Sequence, residues 1–401
     1  MNETASTSTR RGISIALIVL ASLIGFVSIF ALWAKRQALE TETWTRTSVE
    51  LLQNEEIRDA LSDFLVDELY ANVDVEGEIE KQLPPQVKGL AGPVSGGLRQ
   101  VAGQASREAL AQPKVQALWE KANRAAHEQL LKVIDDEGDA VSTKGGVVTL
   151  DLRVIVAQIA AQVGLGADVA DKLPPQAAEL EILRSDQLEG VQEGVSLLRT
   201  LAWVLTVLTL ALYAVAIYIA RGRRRETLRS VGIAFVAVGV LVLFAHSLAG
   251  DAVTESLADT DASEPAVRAT WDIGTSLLTD TAKGIIAYGI VIVLAAWLAG
   301  PTAAATWIRR EITPYLRQPQ LAYGGLAVLL VLIFWWDPVE ATHRLGPSLL
   351  LIALLVLGTE VLRRQVIREF PDHVATGGTV KRAADSVREA RERRTPSSPD
   401  E

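Results

Sequence analysis

Trp119, Asn123 and His127 stand four residues apart, so on a helix they stack along one edge. Such an edge can act as a recognition surface, with the imidazole of His127 free to titrate in an acidifying envelope. The alternative is structural: Trp119 packs in a core while Asn123 and His127 hydrogen-bond neighbouring loops. A second constellation, Asp135-Asp136-Glu137-Gly138-Asp139, offers the oxygen ligands that a hard cation needs. Its spacing does not follow D-x-[DN]-x-[DN]-G-x₅-E, so a solvated helix end is the expected reading. Neither G-x-S-x-G, H-E-x-x-H nor G-x-x-x-x-G-K-[ST] occurs. No catalytic, metal-binding or cofactor-binding residue is therefore expected.

Ionisable residues inside apolar runs usually mark a transport path. Here they lie only near the ends of such runs: His246, Glu360 and Arg199. Glu360 is expected to pair with Arg363 or Arg364, three and four residues on. The tail beyond 363 is polar, with Arg363, Arg364 and Arg368 suited to anionic lipid contact.

The elements that must position these residues are mostly apolar helices. The 401-residue chain carries 39 Lys and Arg against 48 Asp and Glu, and 49% of it is hydrophobic. The absence of cysteine excludes a disulfide framework, a thiolate metal site and a cysteine nucleophile. No basic domain is present to track a phosphate backbone, so nucleic acid is not an expected partner. Crossing a bilayer takes about 20 apolar residues. Residues 12–34 satisfy this without one charge, followed by 197–220, 228–250, 284–308 and two shorter runs, 320–336 and 346–362. The last two flank an acidic turn at Asp337-Pro338. Residues 12–34 exceed a signal-peptide core and lack a clear small-x-small cleavage site, so they read as an uncleaved anchor.

Charge sets the expected orientation. Residues 221–229 hold five arginines, 309–317 three and 363–368 three more. The intervening loops 251–283 and 337–345 are acidic. All basic loops then share one side with both termini, the cytoplasm. Residues 35–196 fall outside, with 28 acids and 16 bases. That block is long enough for its own core. Its pattern predicts a helix over 48–70 capped by Ser48, and another from Pro113 ended by Asp135, Asp136 and Gly138. The Gly- and Pro-rich stretch 84–103 predicts a loop or loose helix. Residues 140–152, with Lys144-Gly145-Gly146 before a β-branched run, favour a small β-hairpin, and Glu179–Leu183 is a further possible strand. A weak internal echo links residues 73–86 with 150–176.

Trp119-x-x-x-Asn123-x-x-x-His127, then Ser142-Thr143-x-Gly145-Gly146-x-Val148-Thr149-Leu150-Asp151-Leu152 and Ser185-Asp186-Gln187, resemble a group of multi-span integral membrane proteins from actinobacteria. The resemblance covers roughly residues 12–300. It implies an amino-terminal span, an external domain and a carboxy-terminal helical bundle, but no activity.

The expectation is thus an all-α membrane protein of the plasma membrane. It has six transmembrane helices, a mainly helical external domain with a small β-hairpin, and cytoplasmic segments at 1–11 and 363–401. Its partners are the lipid bilayer and other envelope proteins, and its role is a non-catalytic scaffold, sensor or partner-binding protein. The second expectation is a transporter component whose external domain collects substrate or gates its passage.

Overall fold

The computed structural model describes residues 2–135, 141–142, 147–151, 179–258, 260–336 and 345–370. The described chain is mainly helical and divides into two compact units. One comprises Met1–Leu23, Thr209–Leu241 and Asp280–Glu401; the other comprises Ile24–Leu208 and Val242–Thr279. Among the described residues, four helical stretches are long and apolar enough to cross a membrane: Arg10–Leu39, Gly190–Ile219, Arg224–Leu257 and Ser276–Leu298. At 1.5 Å per residue even the shortest, of 23 residues, is about 35 Å long, beyond the ~30 Å hydrocarbon core.

The second unit holds the helices expected outside the membrane. α1 (Asn2–Leu39) gives way at Glu40 to α2 (Thr41–Gln53), which is followed by α3 (Glu55–Asn72) and α4 (Val75–Gln82). A 3₁₀ turn over Pro85–Leu90 leads into α5 (Ala91–Ala111), and α6 (Pro113–Ile134) follows. The helix expected over 48–70 is in fact two. Asn54 takes an extended backbone and its side chain accepts from the Ile57 amide at 3.1 Å, capping α3 and breaking the run. Ser48 is therefore no cap; it lies buried within α2. Asp74 caps α4 in the same way through the Gly77 amide. Pro113 opens α6 as expected, because its missing amide is one the first turn would leave unpaired. The stretch 84–103 is mostly helix despite its glycines. α5 packs against α3, α4 and α6, and α2 packs against α6. Arg99 bridges to Asp67, and Arg107 to Asp63 at 3.1 Å, across the α3–α5 seam.

Three strands, β1 (Val141–Ser142), β2 (Val147–Asp151) and β3 (Glu179–Arg184), pair antiparallel in that order. Val141 faces Leu150, and Val148 faces Leu183. The turn at Lys144-Gly145-Gly146 and residues 152–178 lie outside the described residues, as does most of the second half of the internal echo. α7 (Ser185–Ile219) follows. Its Arg199 forms two bonds of 2.8 and 3.1 Å with Asp135 at the end of α6. α8 (Arg224–Leu257) and α9 (Glu264–Gly274) lead to α10 (Ser276–Leu298), and α9 packs on α2 and α3.

In the first unit, Ile18 and Ala21 of α1 meet Tyr213 and Ala216 of α7 and Val231 of α8 in a buried cluster. Alanines allow the close approach that helices in lipid favour, and hydroxyls add cross-links. Ser14 donates to the Ala216 carbonyl at 3.1 Å, and Ser22 lies 3.0 Å from the Tyr213 hydroxyl. α8 and α10 meet backbone to backbone: a Cβ on Gly289 would stand 2.7 Å from the Gly232 oxygen, and one on Gly232 would stand 2.9 Å from the Gly289 oxygen.

The span expected at 284–308 is displaced: α10 runs from Ser276 to Leu298. Pro301 has no amide to continue it, and Thr302 caps a separate helix, α11 (Ala303–Arg317), through the Ala305 amide at 3.3 Å. α12 (Pro319–Trp336) and α13 (Leu345–Glu369) pack on each other and on α11. The apolar stretch of α12 among the described residues, Pro319–Leu332, is shorter than the four long ones. The acidic turn at Asp337-Pro338 lies outside the described residues.

Candidate functional site

The three residues of the α6 edge have three different fates. His127 is 3% exposed. Its Nε2 lies 3.2 Å from the Ala38 carbonyl and its Nδ1 lies 3.1 Å from the Thr41 hydroxyl. A carbonyl only accepts, so Nε2 carries the proton and Nδ1 accepts from Thr41. The ring stacks on Trp44, with centroids 5.1 Å apart. Ala38 belongs to the last turn of α1, where carbonyls lack helical partners, and Thr41 opens α2. His127 thus closes α6 over the joint between α1, the first long apolar helix, and α2.

A helix end of this polarity favours an imidazolium. Burial opposes it and is the larger effect, so His127 is held below the usual histidine range, with the bond to Ala38 acting against the shift. The ring is neutral at ordinary pH. Trp119 sits at the surface boundary and donates its indole N–H to the Ser48 carbonyl at 3.0 Å. Asn123 donates to the Trp119 carbonyl of its own helix at 3.0 Å. The helical spacing places the three residues on one edge, but their polar atoms face α1, α2 and the helix itself. Thr41, Trp44 and Ala38 complete the arrangement; they lie more than 80 residues from His127, and no local pattern singles them out.

Two further constellations are built from residues far apart in the chain. In the second unit, the Thr275 hydroxyl donates to the Trp271 carbonyl and accepts from His246 Nε2 at 2.7 Å, while the His246 and Trp271 rings lie 5.5 Å apart. In the first unit, Arg309 of α11 is 1% exposed. It forms a two-pronged pair with Glu369 at 3.0 and 2.7 Å and donates to the carbonyls of Leu298 and Gly300. Gln365 takes the Ala299 carbonyl at 3.2 Å. Side chains thereby satisfy three successive carbonyls, from the last residue of α10 onward, where a cation is also favoured by the helix dipole. Glu360 meets both Arg363, at 3.3 Å, and Arg364, at 2.7 Å, and accepts from the Tyr323 hydroxyl at 3.0 Å. Among the described residues no group of three or more His, Asp or Glu is placed to hold a metal ion.

No protein-family model matches the chain, and no curated protein or solved structure is significantly similar to it.

Proposed function

We propose that the chain is a multi-pass protein of the plasma membrane, with six spans, both termini in the cytoplasm and residues 35–196 outside. The strands of the external domain close as a small hairpin. That domain serves without catalysis, as a scaffold, sensor or partner-binding module of the cell envelope. The observation that carries this reading is an apolar stripe on α5: Val94, Leu98 and Val101 follow one another at helical spacing and are 47%, 49% and 62% exposed. Apolar side chains aligned on one face of a water-exposed helix are the signature of an interaction surface. The joint held by His127 adds a route by which a load on the external helices reaches the first span.

A photo-crosslinking residue at Leu98, in intact cells, is expected to give one discrete adduct that Val101→Glu abolishes while the chain's abundance is unchanged. Absence of any adduct from Leu98 and from Val94 would sink the partner-binding reading. The second reading, a transporter component, is favoured by His246 on the long apolar helix α8, whose ring meets Thr275 at the joint between α9 and α10. Proteoliposomes separate the two readings: a proton path through His246 dissipates an imposed pH gradient and loses that leak in His246→Ala, whereas a scaffold holds the gradient.

A further inference from the structure

The second unit contains an open groove of about 500 Å³, lined almost entirely by apolar surface. Its walls are Trp33 of α1, Ile57 and Leu61 of α3, Leu257 of α8, and Val267 and Trp271 of α9. α1 and α8 are two of the four helices able to cross a bilayer, and Trp33 and Leu257 lie in the final turns of those helices. α3 belongs to the external helices. A volume of this size falls within the roughly 300–1,000 Å³ of small-molecule sites. Water gains little in it, because an apolar lining offers few hydrogen bonds.

The indole nitrogens of Trp33 and Trp271 are closed off from the groove and find no acceptor among the described residues. Trp271 is not free to turn toward one. Its backbone carbonyl is taken by Thr275, its ring lies beside His246, and its indole presses on Gly250, where a Cβ would stand 2.7 Å from Nε1. An occupant that suits this groove has a long apolar body. Amphiphiles of the bilayer have that form, and the ends of two spans bring the bilayer to the groove.

We propose that the groove takes one acyl chain of a glycerophospholipid from the surrounding membrane. The chain packs between the end of the first span and α3, so bound lipid fastens the external helices to the membrane edge. This assignment requires only that α1 and α8 enter the bilayer; it does not depend on the scaffold reading.

The test uses the full chain in nanodiscs of phosphatidylcholine containing a trace of the same lipid with a diazirine at mid-acyl chain. After irradiation, adducts are mapped by mass spectrometry. The expected result is labelling of the α3 peptide around Ile57–Leu61 in addition to Val240, an exposed position on α8. Leu61→Trp fills the groove and is expected to cut α3 labelling at least tenfold while Val240 is labelled as before. Ala60→Leu serves the same purpose should the tryptophan variant not fold. Any of three outcomes overturns the proposal: α3 unlabelled, α3 labelling indifferent to filling, or labelling by a free diazirine fatty acid but not by the phospholipid. A protein crosslinked at Ile57 in cells, in place of lipid, overturns it too.

Discussion

A buried imidazole that gives one nitrogen to a carbonyl and takes a hydroxyl proton on the other is satisfied without a charge. His127 is held in that neutral state, since protonation would charge a buried ring. An unfolded chain binds a proton at the ordinary histidine value, about 6.5. The folded value is lower, so the stability contributed by the neutral ring is fully present above that pH and is lost as pH falls through the folded value. Between pH 7 and 5 the melting temperature of the wild type is therefore expected to drop more steeply than that of His127→Gln; equal slopes in scanning fluorimetry would refute the argument. At neutral pH, His127→Ala strands the Ala38 carbonyl and opens a cavity, for an expected loss of about 2–3 kcal/mol. Arg309 carries a larger penalty. Arg309→Met leaves the Leu298 and Gly300 carbonyls unpaired, and since Glu369 is partly solvated the cost comes mainly from those carbonyls, about 2–4 kcal/mol. The double variant Arg309→Met with Glu369→Gln is expected to recover part of that loss in the same melting experiment.

At the scale of elements, helix contacts in this chain depend on what is missing from side chains. Gly232 and Gly289 touch backbone to backbone, so even one methyl group forces α8 and α10 apart. Gly289→Ala is expected to destabilise by about 1–3 kcal/mol through overpacking. Gly358 on α13 has open space where a Cβ would stand, and Gly358→Ala is expected to be neutral or to stabilise by up to about 1 kcal/mol. If both alanines melt alike, the close crossing is not what holds α8 to α10. The same local logic explains the two helix boundaries that periodicity misplaced. Apolar spacing continues across Asn54 and across Gly300-Pro301, yet Asn54 and Thr302 each cap the helix that follows. A hydrophobic period reports which face is buried; it does not report a cap whose energy of about 1 kcal/mol is enough to divide a run.

For the whole molecule, the open question of topology is the number of crossings, and the absence of cysteine makes it answerable. Single cysteines at Ser142, Ser230, Thr342 and Ser397 can be probed in intact cells with an impermeant maleimide. Six spans predict labelling at Ser142 and Thr342 and none at Ser230 or Ser397. Four spans, with α11, α12 and α13 kept on the inner side, leave Thr342 dark as well. An inverted chain labels Ser230 and not Ser142, and then the apolar stripe of α5 faces the cytoplasm. The long apolar helices are legible from composition, because burying about 20 successive apolar residues in lipid outweighs any tertiary preference. So is the helix start at Pro113, where a missing amide acts on its own turn. The role of His127 is not legible in that way. Its spacing from Trp119 and Asn123 is a local fact, but its partners Ala38 and Thr41 lie 89 and 86 residues away. The burial of Arg309 against Glu369, 60 residues on, has the same character. Amino-acid order alone determined where the chain is apolar enough to enter a membrane and which stretch is acidic enough to stay in water. Tertiary packing decided which polar groups are used up inside, because a hydrogen bond needs a partner at about 3 Å and only the folded chain brings one there.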